Sequence, residues 1–117
     1  MGLTFVEGIL TAPNGRQVRE RFLVDSGAKY TLVSREKWEQ LGLVPQRRVS
    51  FVLADGTTVE RDVSECHISL PEGAAHTPVI LGEPGDEPLL GVVTLEILGL
   101  MLNPFTRTLQ PMRMMLA

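Results

Sequence analysis

Phe22-Leu23-Val24-Asp25-Ser26-Gly27-Ala28 is the stretch on which the reading of this chain turns. Three apolar residues of buried type drive a strand straight into a carboxylate, then a hydroxyl, then a glycine. Placing Asp25 beside such a strand costs several kcal/mol unless hydrogen bonds or a charge partner compensate. Taken alone, Asp-Ser-Gly is also ordinary turn chemistry at a strand end. Its meaning therefore depends on what flanks it.

Upstream, Leu3 to Leu10 reads as a strand and Pro13-Asn14-Gly15 as a tight reversal, because Asn-Gly tolerates positive φ. Val18 to Val24 is the return strand, with Val18, Glu20, Phe22 and Val24 alternating against Arg19, Arg21 and Leu23. Downstream, Ser34 to Gly42 carries helix punctuation: Ser34 at the N-cap, Gly42 at the left-handed C-terminus, and Trp38 and Leu41 on one face. Asp55-Gly56 between β-prone runs predicts a hairpin over about residues 50–62, with a long second arm through Val59, Val63, Cys66, Ile68 and Leu70. A loop from Pro71 to His76 leads to a buried strand at Thr77 to Leu81. Gly82 to Pro88 is an aperiodic connector.

Val92 to Leu98 then predicts a short helix closed by Gly99, followed by Leu100-Met101-Leu102 and a turn at Asn103-Pro104. The reading assigns no conformation to the tail, residues 109–117. Trp38-Glu39-Gln40-Leu41-Gly42-Leu43 is echoed by Leu95-Glu96-Ile97-Leu98-Gly99-Leu100, and each follows an apolar strand ending in glycine, at Gly27 and Gly91. The echo fits either two ordinary helix ends or a pseudo-duplicated lobe. The fold class is mostly β with one or two short helices.

The chain has 117 residues, which suits one domain (1–117) able to bury roughly two-thirds of its unfolded surface without a staple. Lysine and arginine number 11 against 14 acids, a net charge of -3, which argues against a nucleic-acid partner. The single cysteine, Cys66, excludes an internal disulfide and a multi-cysteine zinc site and favours a reducing, cytoplasmic setting. Residues 1–6 show no basic leader before an apolar run, and Leu89 to Leu102 is too short and too interrupted to span a bilayer. The expectation is a cytoplasmic protein with no membrane partner.

Phe22 to Ala28 resembles the active-site signature of aspartic proteases, specifically the small retropepsin-like ones. The hairpin at Asp55-Gly56, about thirty residues on, falls where that family keeps its flap. Pro88-Leu89-Leu90-Gly91, followed by a helix and Leu100 to Pro104, is similar to its second signature. These three elements in order span about Phe5 to Pro111 and look closest to the single-domain, retroviral-like proteases of prokaryotes. Departures are Ser26 where many members carry Thr, Lys29 where many carry an acidic or small polar residue, and a flap tip less rich in glycine.

The resemblance implies a small closed β-barrel-like acid-protease lobe, one per chain, and an endopeptidase acting on extended peptides with no cofactor and no metal. Such proteolysis uses two carboxyls, one to take a proton from water and one to give a proton to the carbonyl oxygen. Held a hydrogen bond apart they share a proton and titrate as a pair, the arrangement for which pepsin is the standard example. This chain offers one Asp-Ser-Gly, and Leu89-Leu90-Gly91 brings no acid, so a homodimer is implied, with Asp25 supplied twice.

By the same resemblance Asp25 is catalytic, Ser26 bonds across the dimer axis, Gly27 lets backbone and substrate approach, and Ala28 floors the cleft. Leu53, Ala54, Asp55, Gly56 and Thr57 form the flap tip. Val52, Leu53 and Thr57 wall the pocket with Ile80 and Leu81 below, and residues 109–117 pair at the dimer axis if they form a strand. The alternative is a catalytically silent dimerisation or peptide-binding module on the same fold, with Lys29 as the residue that would disable it.

Weaker candidates are a Cys66–His67 nucleophile pair, which adjacent strand positions place on opposite faces, and His67 with His76, whose spacing matches no zinc motif. Cys66 reads better as a small buried hydrophobe. Glu83, Asp86 and Glu87 read as a solvated acidic loop. Arg16, Arg19, Arg21, Arg47 and Arg48 are too scattered for a phosphate patch.

Overall fold

The computed structural model describes residues 2–116. Among these, nine strands and two helices run in the order β1 (Phe5–Thr11), β2 (Gln17–Val24), β3 (Thr31–Val33), α1 (Arg35–Leu41), β4 (Arg47–Val52), β5 (Thr58–Leu70), β6 (Gly73–Leu81), β7 (Leu89–Leu90), α2 (Val92–Leu98), β8 (Leu100–Asn103) and β9 (Thr108–Pro111). The mostly β character and both short helices match the sequence reading.

The β1–β2 hairpin turns where Asn-Gly predicts it. Gly15 sits at φ 88°, Gly15 N–H donates to Ala12 O (2.9 Å), and the Asn14 side chain accepts from Arg16 N (2.8 Å). Asn14 Nδ2 also donates to Leu41 O (3.0 Å), so the turn satisfies a carbonyl left over at the end of α1. Both helices end as their glycines require: Gly42 and Gly99 are left-handed at φ 71° and 69°, each returning its N–H to the last turn.

Seven strands form one sheet in the order β1-β2-β7-β3-β6-β5-β4, and β1 pairs again with β5, so the path of pairings returns to β1. The long strand β5 makes this return. Its first half pairs with β4 from Thr58 to Val63, and farther along Ile9–Thr11 of β1 pair with His67–Ser69. Enclosed between these strands and the two helices is a core that includes Leu10, Phe22, Val33, Leu41, Ile68, Val79, Leu90 and Leu95. The remaining strands, β8 and β9, form a separate antiparallel pair.

Three local expectations need correction. The loop predicted over Pro71 to His76 is only Pro71-Glu72, because Gly73 to His76 pair in register with His67 to Leu70 and extend β6 backwards. At the N-cap of α1, Ser34 makes no side-chain capping bond; its hydroxyl donates instead to Glu20 Oε2 (2.7 Å), which also accepts from Ser34 N (3.2 Å). Glu20, on the inward phase of β2, is buried, and these two donors satisfy its carboxylate. In the acidic connector Glu83 and Glu87 are exposed as expected, whereas Asp86 is half-buried and faces Arg61 at 3.8 Å.

Candidate active site

Strand topology sets the site. β7 lies between β2 and β3, parallel to the first and antiparallel to the second. The ends of β2 and β7 therefore come together with the start of β3. Residues 25–30, which join β2 to β3, must arch over the point where the chain leaves β7, at Gly91.

Hydrogen bonds fix that arch from below. Asp25 N–H donates to Leu90 O (3.1 Å), Val92 N–H to Ala28 O (2.9 Å) and Val93 N–H to Lys29 O (2.9 Å). Inside the arch, Asp25 Oδ1 accepts from Gly27 N (2.9 Å) and Asp25 O accepts from Ala28 N (3.1 Å). The carboxylate is half-buried while Ser26 and Gly27 are exposed, so the acid is held by its neighbours yet open to a ligand.

Gly91 permits this crossing by having no side chain. A Cβ there would lie 2.5 Å from Tyr30 C, 2.6 Å from Tyr30 O and 2.7 Å from Lys29 O, all backbone atoms. Gly91 N–H donates to Thr31 Oγ1 (3.0 Å), and Thr31, Thr77 and Thr94 join their hydroxyls in a buried chain linking β3, β6 and α2. Leu90 and Gly91 are thus structural supports beneath the arch, while Leu89 reaches the cavity beside it.

That cavity, of about 390 Å³, joins Gly27 and Ala28 to Val52 and Leu53 of the β4–β5 hairpin, with Ile80 and Leu89 among its apolar lining. Two pocket assignments do not hold. Leu81 points into the core, since strand alternation leaves only Ile80 facing the cavity. Thr57 turns to the hairpin tip, where its N–H (2.9 Å) and hydroxyl (2.6 Å) both donate to Asp55 Oδ1. Those two bonds hold the Asp55 carboxyl below its usual range, the hydroxyl contributing most. Ala54, Asp55, Gly56 and Thr57 all stand exposed, Gly56 at φ 87°.

Sequence reasoning missed Tyr30, Phe51, Arg61 and Asp86 as cavity residues. Tyr30 and Phe51 meet edge to face at 5.7 Å, and Arg47 Nη2 donates to Tyr30 Oη (3.4 Å). Outward alternation from Val59 along β5 was the available signal for Arg61. A second cavity, also about 390 Å³, borders the other side of the arch and is lined by Asp25, Ser26, Leu3, Thr4, Leu102 and Pro104.

Among the described residues no group of three or more metal-binding side chains gathers. His67 and His76 do meet, edge to face at 5.1 Å across β5 and β6, a proximity their spacing along the chain conceals. Cys66 is buried, and that burial pushes its thiol up to about 12. Arg48 pairs with Glu60 and Asp62, Arg19 with Glu7, and Arg21 stacks on Phe5, so the arginines are spent separately. No helix among the described residues is long and apolar enough to cross a membrane.

An acid-bearing loop buttressed by a glycine crossing, beside a cavity that the β4–β5 hairpin helps to line, is an arrangement suited to acid–base chemistry. The sequence matches the profile of an aspartyl protease family over residues 9–94, and the chain belongs to that family. The match includes Asp25, the hairpin and the Gly91 crossing. A search of curated proteins found no match.

Proposed function

We propose that this protein is an aspartic endopeptidase acting as a homodimer, with Asp25 of each copy supplying one half of a carboxyl pair. The observation that carries this reading is the arch itself: a half-buried carboxylate tied to Gly27 N–H, on a loop bonded to Leu90, Val92 and Val93. Membership of the aspartyl protease family supports it. The dimer follows from carboxyl arithmetic, since the opposing segment Leu89-Leu90-Gly91 brings no acid.

The surface around the arch supports the dimer as well. Asp25 and Ser26 border a cavity walled by Leu3 and Leu102, Ser26 also borders one lined by Met101, and Leu3 and Met101 are exposed apolar residues. In the proposed dimer one carboxyl, ionised, takes a proton from the attacking water while the other, protonated, gives one to the scissile carbonyl oxygen. Two facing carboxyls share a single proton, so activity is highest at acidic pH, where that state is populated. Ser26 braces the paired loops, Gly27 and Ala28 line the cleft, and Leu53 to Thr57 close over an extended peptide as a flap.

Asp25→Asn tests the reading by keeping shape and removing proton transfer. Digestion of a mixed peptide library at acidic pH should stop, while the melting temperature and sedimentation coefficient stay unchanged. Continued digestion by the variant, or full activity at concentrations where the chain sediments as a monomer, overturns it. A folded wild-type dimer that binds peptides without cutting them is the silent-module outcome.

A further inference from the structure

We infer that the cavity beside the Asp25 loop selects a substrate side chain with an apolar stem and a carboxylate end, that is, a glutamate, and rejects lysine and arginine. This inference rests on the proteolytic reading of Asp25 and concerns the peptide that the enzyme cuts.

The cavity is apolar in its walls and cationic in its charge. Phe51, Ile80 and Leu89 offer packing surface, whereas the charged residues lining it are Lys29, Arg61 and Asp86, two cations against one carboxylate. The lone acid is already engaged: Asp86 Oδ2 accepts from Glu83 N (2.9 Å) and faces Arg61 Nε at 3.8 Å. Arg61 is held in place by that contact and by Nη1 donating to Glu60 O (3.0 Å), which leaves its Nη2 unassigned among the described residues.

Lys29 forms no ion pair among the described residues and is exposed, yet its backbone is fixed because Lys29 O accepts from Val93 N (2.9 Å). An extended substrate lying along Gly27 and Ala28 would place a side chain against these walls with its end near Lys29 and Arg61. Methylene groups pack on the apolar lining, and a carboxylate at the end meets two donors at the solvent-facing mouth, where it need not be fully desolvated. A lysine or arginine in the same place meets the Lys29 ammonium, which no carboxylate among the described residues offsets, so discrimination comes from repulsion as well as attraction.

The test is cleavage-site profiling of a proteome-derived peptide library by mass spectrometry, with wild type, Lys29→Glu, Lys29→Gln and Asp25→Asn run side by side. The ratio of glutamate to lysine at each position around the cut is read within each digest, so overall activity drops out. Wild type should enrich glutamate over lysine at one fixed position by roughly fivefold, the scale of an ion pair near a protein surface. Lys29→Gln should shrink that ratio and Lys29→Glu should bring it below one.

Asp25-dependent cleavage with no glutamate enrichment, or with enrichment that Lys29→Glu leaves untouched, overturns the inference and leaves the protease standing. Absence of cleavage by wild type, or equal cleavage by Asp25→Asn, removes the protease and this specificity with it.

Discussion

Gly91→Ala is the sharpest perturbation of the site's architecture. Gly91 has φ -97° and ψ 171°, an extended backbone that alanine adopts freely, so any cost comes from space alone. The added Cβ would stand 2.5 to 2.7 Å from three backbone atoms of Lys29 and Tyr30. Relaxed carbon contacts lie near 3.5 Å, so the shortfall is about 1 Å, and backbone atoms cannot rotate out of the way.

Overpacking of this kind costs about 1–3 kcal/mol, and rigid neighbours on both strands of the crossing put the expected value at the upper end, about 3 kcal/mol. At roughly 4 °C per kcal/mol for a chain of this length, melting should fall by about 12 °C. The matched control is Gly73→Ala, whose Cβ would meet only Leu98 Cδ2 at 3.8 Å, an ordinary contact that should leave melting within about 2 °C. Thermal unfolding followed by circular dichroism reads both. The arch also carries Asp25, and misplacing a reacting group by about 1 Å can cost on the order of a hundredfold in rate. Melting of Gly91→Ala within about 3 °C of wild type would refute the crossing of residues 25–30 over β7.

Two further outcomes follow from the titrating groups. The Asp55 carboxyl is depressed by the Thr57 hydroxyl and N–H, so its contribution to the hairpin tip is present above the usual carboxylate pKa and is lost as pH falls through the lowered folded value. Thr57→Val should move Asp55 back up towards 3.8 in an NMR titration, and an unchanged titration refutes the tip geometry. Cys66 moves the other way: with its thiol at about 12 when folded against 9.0 when free, stability is unaffected by this group below about pH 9 and declines as pH rises above it. Native protein at pH 8 should therefore resist alkylation by iodoacetamide until denaturant is added, and fast native labelling would contradict its burial.

Local chemistry was legible wherever one residue type decides one conformation. Asn14-Gly15, Asp55-Gly56, Gly42 and Gly99 all turn or end elements where the sequence predicts, since positive φ selects glycine. The candidate loop was legible because an apolar run ending in Asp-Ser-Gly is an unusual place for a carboxylate. What escaped was set by pairing at long range. A two-residue strand such as Leu89–Leu90 has no periodicity, and its place between β2 and β3 comes wholly from its partners. Gly73 to His76 have weak β propensity and become strand because β5 offers them a register. The position of Ser34 before a helix predicts a capping hydroxyl, but a buried Glu20 fourteen residues earlier recruits it.

The start of α2 shows why the acid-bearing loop is more than a strand-end turn. A helix leaves its first amide groups without partners, and a capping side chain usually supplies one. Gly91 stands at that cap and has no side chain to offer. Ala28 O and Lys29 O accept from Val92 N and Val93 N instead, both at 2.9 Å. The helix thus begins on the loop, and the loop is held by the helix, through one set of bonds. The same missing Cβ that lets residues 25–30 cross leaves the amides uncapped, so closeness and capping arise from a single residue. Asp25 is thus held directly by Gly27 N–H, Ala28 N–H and Leu90 O, while α2 fixes the rest of its loop through Ala28 O and Lys29 O.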